Sequence, residues 1–297
     1  MENVNQRGCS LIEERISKID GTIIGMKVIG SGPGLVLVQG AMGTAASWSN
    51  FAQALSKWFT VIVPDRRGRG LSPMADKAKC GLAAEADDLK VILERFKASY
   101  VFSLSSGAVI TLFAAAKGLP VEKIIAYEPP FFTNGHFPQK YLDSYYQDLK
   151  QGNLVSAFYN AGCAVNPKLR LFPKWLFEKI FPGKPKKTAG GYIYDPEFKE
   201  LVESLAFDFA AVSEAATDMG FLRDIAVPIG LFGGAESPKF LKADLDSLSA
   251  LIPGSERITI DKAGHSTMWD YDAKRNPHSD PARIALAVKD YFLGKQL

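Results

Sequence analysis

The chain has 297 residues, of which 47% are hydrophobic and 23% charged, and this composition is typical of a globular protein in water. Its formal net charge of +3 is too small to indicate binding to nucleic acid or to an anionic membrane surface. Only three histidines and three cysteines are present, and they are not spaced as zinc ligands are, so we expect no metal and no cofactor.

The N-terminus is polar, and no run of about 18 or more apolar residues occurs in the chain. We therefore expect neither a signal peptide nor a membrane-spanning helix. The cysteines, Cys9, Cys80 and Cys163, are odd in number and widely spaced, which favours free thiols in a reducing compartment. Together these features predict a cytoplasmic protein.

Strand patterns and helical patterns alternate along the chain. The Asp20-Gly21 pair predicts a hairpin between two strands. Continuous apolar runs and helical spacing then predict four buried strands with three helices between them, the strands at 35–40, 59–65, 100–105 and 123–130 and the helices at 49–58, 83–96 and 107–119. Two later strands follow at 227–234 and 256–265. The last helix is predicted to begin with Asp280 as N-cap and Pro281 at its first position.

Apolar strands that alternate with helices are typical of a parallel sheet covered by helices on both faces. We therefore predict an α/β fold with a mostly parallel, twisted sheet of eight strands. Residues 131–221 lack strand-like runs and have the pattern of short helices rich in aromatic residues. They predict a helical lid inserted after the sixth strand, with 1–130 and 222–297 forming the core. Some of the aromatic rings are expected to line an apolar pocket.

The segment Tyr100–Leu112, YVFSLSSGAVITL, changes from a strand pattern to a helix pattern at three serines. A strand that runs directly into a helix needs a tight turn, with a strained apex residue and small residues two positions to either side. Ser105 lies at this apex, between Ser103 and Gly107. The positive N-terminal end of the helix favours negative charge there, which makes Ser105 a candidate nucleophile. The alternative is a structural turn whose hydroxyl only caps the helix.

This turn resembles the G-x-S-x-G nucleophile elbow of the α/β-hydrolase fold superfamily, with serine in place of the first glycine. The segment Gln39–Gly43, QGAMG, is similar to the family's His-Gly-x-x-Gly loop, with glutamine in place of histidine. The resemblance implies that the backbone N–H of Ala41, or alternatively of Met42, forms an oxyanion hole with that of Ser106. Val63–Ser72 resembles a structural loop of the family, so its arginines are expected to pack rather than to bind substrate.

The family's chain order of nucleophile, acid and histidine implies that His265 is the base, because it follows the final strand and a glycine. His136 lies at the entrance of the helical region and His278 in a loop before the last helix, so neither has the expected position. The acid has two candidates. Glu236, about three residues past the glycines that end the preceding strand, is the first choice. Glu128, at the end of the strand before that, stays open as the rival.

The resemblance implies a serine hydrolase that acts through an acyl-enzyme on a small or medium ester, thioester, lactone or amide with an apolar acyl part. The expected ligand is a small molecule, not a nucleic acid or a membrane. Because this fold also supports other chemistry, the alternative is a non-hydrolytic protein, namely a lyase, an isomerase or a ligand-binding protein. A dinucleotide-binding fold is excluded, since the glycine-rich segments lack G-x-G-x-x-G spacing between a strand and a helix.

Overall fold

A mixed β-sheet organises the molecule. The structure is a computed structural model that describes residues 11–18, 20–73, 80–133, 138–181, 186–188, 191–270, 272–273 and 276–294. Within these ranges the strands are β1 (Ile12–Ser17), β2 (Ile23–Ile29), β3 (Gly34–Val38), β4 (Thr60–Pro64), β5 (Tyr100–Leu104), β6 (Lys123–Tyr127), β7 (Lys186–Thr188), β8 (Gly191–Ile193), β9 (Ile229–Gly234) and β10 (Glu256–Ile260).

Eight of the described strands form one sheet, in the order β1-β2-β4-β3-β5-β6-β9-β10. The pairs β1–β2 and β2–β4 are antiparallel, and every later pair is parallel. The predicted hairpin is present, since Ser17 pairs with Ile23 across a turn in which Gly21 has a φ of 83°. The prediction of a mostly parallel eight-stranded α/β sheet is therefore confirmed.

Helices cover both faces of this sheet. In the described residues they are α1 (Ser49–Leu55), α2 (Leu82–Phe96), α3 (Ser106–Ala116), α4 (Gln139–Lys150), α5 (Leu154–Val165), α6 (Lys174–Ile180), α7 (Pro196–Thr217), α8 (Lys239–Leu251) and α9 (Pro281–Leu293). As predicted, Asp280 caps α9 by accepting a hydrogen bond from the Arg283 N–H, with Pro281 at the first position. None of these described helices is long and apolar enough to cross a membrane.

Alternation along the strands builds two hydrophobic clusters, one on each side of the sheet. In β3, Leu35 and Leu37 belong to the cluster that contains α1 and α9. Val36 and Val38 belong to the cluster that contains α2, α3 and α8. All four side chains are buried, because successive strand residues point to opposite faces and both faces are covered. This explains why the strand reads as a continuous apolar run.

Helices α4 to α7 lie between β6 and β9 in the chain, where the lid was predicted. Side chains from α4, α5 and α7 form a third cluster around Tyr145 and Phe209. Residues Pro196–Thr217 form one long helix, α7, in place of the short helices predicted for this region, because no glycine or proline interrupts the chain between its ends. The hairpin of β7 and β8 was not predicted. The boundary of the lid at residue 221 stays a prediction. Ala211 and Val212, in the second half of α7, belong to the core cluster that contains α3.

Candidate active site

A strained turn joins β5 to α3. Ser105 has φ 54° and ψ −126°, a left-handed conformation that is unfavourable for a side-chain-bearing residue. The turn is held from the neighbouring strand, since the Ser105 N–H donates to the Tyr127 carbonyl at 2.9 Å. Gly107 lies so close to the loop after β3 that a Cβ on Gly107 would be 2.4 Å from the Gln39 carbonyl oxygen. This is the backbone geometry that a nucleophile elbow requires.

The three serines of this turn have different surroundings. Ser103 is fully buried and donates its hydroxyl to the Ile125 carbonyl at 3.1 Å, so a serine fits where the family pattern has glycine. Ser106 is buried and donates its hydroxyl to Asp208 at 2.7 Å. Ser105 is partly exposed and lines a cavity. Of the three, Ser105 is therefore the one whose hydroxyl can meet a ligand.

We expect Gly107→Ala to destabilise the protein by about 1–3 kcal/mol, because the new methyl group would overlap backbone oxygens of Val38 and Gln39 that cannot move freely. Gly264→Ala is the matched control, since a Cβ at Gly264 would meet no atom within 4 Å. Urea denaturation of both variants measures the difference. A Gly107→Ala protein as stable as the control would show that the turn is looser than these distances indicate.

A buried carboxylate contacts the ring of His265. The Nδ1 atom of His265 lies 2.6 Å from Oε2 of Glu128, whose side chain is fully buried. The other carboxylate oxygen of Glu128 accepts a hydrogen bond from the Gly234 N–H at 2.7 Å. The hydroxyl of Tyr127 donates to the Gly264 carbonyl at 3.0 Å. Tyr127, the last residue of β6, and Glu128, which follows it, thus hold the loop that carries His265.

Glu236, the first choice for the acid from the sequence, has a different position. It is exposed, it lines the cavity, and its backbone N–H donates to the Ala263 carbonyl at 2.8 Å. Its loop therefore supports the histidine loop through the backbone, and the carboxylate hydrogen-bonded to the imidazole belongs to Glu128. The backbone conformation explains the reach of Glu128, since its φ of 47° turns the chain out of the strand direction.

The segment after β3 lies against the elbow. A Cβ on Gly40 would be 2.8 Å from the Ser105 Cβ and 3.5 Å from its Oγ, so only glycine allows this approach. Ala41 and Met42 follow and line the same cavity, and Met42 has a φ of 62°. The loop therefore presents backbone next to the Ser105 hydroxyl.

The cavity has a volume of about 970 Å³ and contains Ser105 and His265 in its wall. Most of the remaining wall is apolar, with Phe158, Leu205 and Phe209 from the helical region and Trp269 from the loop after His265 among its residues. The side chains of Phe158 and Phe209 fulfil the expectation that some aromatic rings of residues 131–221 line a pocket. The space is sufficient for a ligand of drug-like size.

Of the other two histidines, the structure describes only His278, which is exposed in the turn before α9 and does not line this cavity. His136 lies outside the described residues. Among the described residues, no three His, Cys, Asp or Glu side chains come together as a metal ion would require.

Sequence reasoning missed two residues near the site, Tyr127 and Asp208. Tyr127 resembles any buried strand residue, and Asp208 lies on an ordinary amphipathic helix. Asp208 is fully buried and contacts Ser106, Arg66 and Arg69. The arginines pack inside the protein, as the family resemblance implied. A buried acidic residue has no sequence signal until its partners are known.

The comparisons with known proteins place this chain in one family. The chain belongs to the Alpha/beta hydrolase family, whose sequence profile matches residues 35–276. An α/β hydrolase from Sphaerobacter thermophilus superposes with a TM-score of 0.73 at 26% sequence identity, covering 94% of this chain and 100% of that chain. The fold is therefore of the hydrolase type.

Two curated relatives are similar in sequence. The N-formylmaleamate deformylase of Pseudomonas putida is 26% identical over 253 residues, which covers 81% of this chain and 85% of the relative. The uncharacterized hydrolase YraK of Bacillus subtilis is 34% identical over 142 residues, 46% of this chain and 52% of the relative. The match to YraK thus spans about half of that protein's length.

Proposed function

We propose that this protein is a serine hydrolase in which Ser105 is the nucleophile, His265 the general base and Glu128 the orienting acid. The observation that carries the proposal is the 2.6 Å contact between the buried Glu128 carboxylate and Nδ1 of His265. His265 lines the same cavity as Ser105, which lies on a strained elbow. Glu236, exposed at the cavity wall, has no part in the triad.

The contact with Glu128 determines which ring nitrogen of His265 carries the hydrogen. A carboxylate at Nδ1 favours the tautomer with hydrogen on Nδ1, which leaves a lone pair on Nε2. Nε2 then takes the proton of the Ser105 hydroxyl while Oγ forms a bond to the substrate carbonyl carbon. Because a serine hydroxyl is a weak nucleophile on its own, this transfer is what makes the attack possible.

The tetrahedral intermediate carries its negative charge on the former carbonyl oxygen. We assign the stabilising donors to the backbone N–H groups of Ala41 and Ser106, with Met42 as the neighbouring alternative to Ala41. Ser106 begins α3, whose N-terminal end adds favourable potential. The imidazolium gives its proton to the leaving group as the carbonyl re-forms. A water molecule then repeats the sequence and releases the acid from Ser105.

The substrate class follows from the cavity and the relatives. A mostly apolar wall around a volume of about 970 Å³ favours a small or medium apolar acyl group on an ester, thioester, lactone or amide. The relative named as a deformylase of N-formylmaleamate adds N-acyl amides to the compounds worth testing. We infer a small-molecule substrate, and the reaction needs no cofactor.

Labelling with a fluorophosphonate tests this proposal. In the labelling reaction the Ser105 Oγ–P bond forms, the P–F bond breaks, fluoride leaves and the proton passes to His265. We expect one phosphonyl group per chain, located on Ser105 by peptide mass spectrometry. A protein that stays unlabelled and hydrolyses no acyl compound would instead support the non-hydrolytic alternative.

We expect hydrolysis of p-nitrophenyl esters with a preference for short to medium acyl chains, because a cavity of about 970 Å³ limits the length of acyl chain that it can hold. Steady-state kcat/KM across acetyl to palmitoyl esters measures the preference. Ser105→Ala provides the background rate at each chain length. A constant kcat/KM across the series would show that the acyl chain lies outside the cavity.

A further inference from the structure

A network of buried charged side chains lies behind the proposed oxyanion hole. It comprises Arg66 and Arg69 from the loop after β4, Glu85 from α2 and Asp208 from α7, all between 1% and 7% exposed. Two positive and two negative groups balance one another, so the network is neutral as a whole. Buried charges persist only where they are paired and hydrogen-bonded, and these are.

The pairing is extensive. Arg66 makes two hydrogen bonds to Glu85, of 2.5 and 2.8 Å, and a third of 2.7 Å to Oδ1 of Asp208. Arg69 donates to the other oxygen of Asp208, and to the Ser204 hydroxyl at 3.1 Å. Burial alone would raise the pKa of Asp208, but Arg69 and Arg66 together bring that pKa below its ordinary value. Asp208 is therefore charged at neutral pH.

Both arginines also donate to the loop that follows β3. Arg66 Nη1 lies 3.3 Å from the Gln39 carbonyl oxygen, and Arg69 Nη1 lies 3.0 Å from that of Gly40. The Gly40 carbonyl belongs to the same peptide group as the Ala41 N–H. In a trans peptide the two point in opposite directions, so an arginine that binds the carbonyl directs the N–H away from itself.

Asp208 reaches the second half of the site as well. Its Oδ1 accepts the Ser106 hydroxyl at 2.7 Å, and Ser106 is the first residue of α3. The backbone N–H of Ser106 is the other donor that we assign to the oxyanion. One carboxylate on α7 is thus linked to both donors, through Arg69 to Ala41 and directly to Ser106.

We propose that Asp208 and Arg69 are positioning residues that fix the two oxyanion-hole amides, so that helix α7 supports catalysis from behind the site. This inference rests on the proposed function, because the amides matter only if an oxyanion forms. Leu205 and Phe209 of the same helix line the cavity, so α7 contributes both a pocket wall and the support of the oxyanion hole. Neither Asp208 nor Arg69 touches the reacting atoms.

Asp208→Asn and Arg69→Lys test the proposal with little change in side-chain size. Each should lower kcat on the best ester by about 10- to 100-fold, less than the outright loss of an oxyanion donor, with KM changed by no more than about threefold. A trifluoromethyl ketone, whose adduct with Ser105 carries an oxyanion, should bind more weakly by the same factor as kcat/KM falls. Counting active sites with the fluorophosphonate separates this effect from partial unfolding.

Arg67→Lys is the matched control, because Arg67 comes from the same loop but donates to Asp88 and Thr22. It should leave kcat and ketone binding within about twofold of wild type. Ser106→Ala makes the smallest change to the network, since it keeps the backbone N–H and removes only the hydroxyl that donates to Asp208.

The results distinguish a failure of the proposed function from a failure of the positioning role alone. A wild-type protein that neither labels nor hydrolyses esters overturns the proposed function, and the positioning role with it. A labelled, active wild type whose Asp208→Asn, Arg69→Lys and Ser106→Ala variants all keep normal kcat per active site overturns the positioning role alone. A fall in kcat without the matching loss of ketone affinity overturns it too.

Discussion

Ser105→Ala is expected to lower kcat for ester hydrolysis by about 10⁶-fold, the scale seen when the nucleophile of a serine triad is removed. The methyl group cannot form the acyl-enzyme, and neighbouring groups cannot replace it. Ser103 is held by the Ile125 carbonyl inside the sheet, and Ser106 by Asp208. Steady-state rates and fluorophosphonate labelling measure the loss.

Ser103→Ala is the matched control for this variant. It removes a hydroxyl two residues away that forms one buried hydrogen bond, which costs about 1 kcal/mol of stability. Its activity should stay within a fewfold of wild type. Hydrolysis by Ser105→Ala at a wild-type rate, or labelling that persists in it, would place the nucleophile elsewhere.

Glu128→Gln is expected to lower kcat by about 10⁴-fold, whereas Glu236→Gln should change it by less than about threefold. The glutamine carbonyl can still accept the Gly234 N–H, so its amide group would face His265 Nδ1 and donate to it. The imidazole would then carry its hydrogen on Nε2, where Ser105 needs a base. The expected fall in kcat therefore comes from the wrong tautomer of His265, because the variant keeps a hydrogen bond to Nδ1.

The two variants share one chemical change, from carboxylate to amide, at two positions near the same loop. Glu236 is exposed and its link to that loop runs through its backbone N–H, which the substitution keeps. Because the chemical change is the same, a difference in kcat between the two variants under identical conditions reports only the position of the carboxylate. A large effect at Glu236 with a small one at Glu128 would reverse our assignment of the acid, and small effects at both would leave the triad without a third member.

The sequence by itself determined the fold class and the main candidates for the chemistry. Continuous apolar runs predicted the buried parallel strands, because a strand covered on both faces has no polar side. Ser105 became a candidate for a local reason, since a tight strand-to-helix turn is encoded within a few residues. His265 became a candidate because a glycine-preceded histidine after the final strand resembles the family's pattern. The prediction of only short helices in residues 131–221 was wrong for α7, because short-range patterns do not show whether neighbouring helical segments join.

Only the tertiary structure decided which carboxylate meets His265. Glu128 and Glu236 follow strands that are neighbours in the sheet, so both lie close to the histidine loop, and the 47° φ of Glu128 directs one of them to Nδ1. The contacts of Asp208 were likewise decided only by the tertiary structure, since its partners lie 102 to 142 positions away in the chain. Contacts over such distances depend on how whole elements pack, and a local sequence pattern carries no record of that packing.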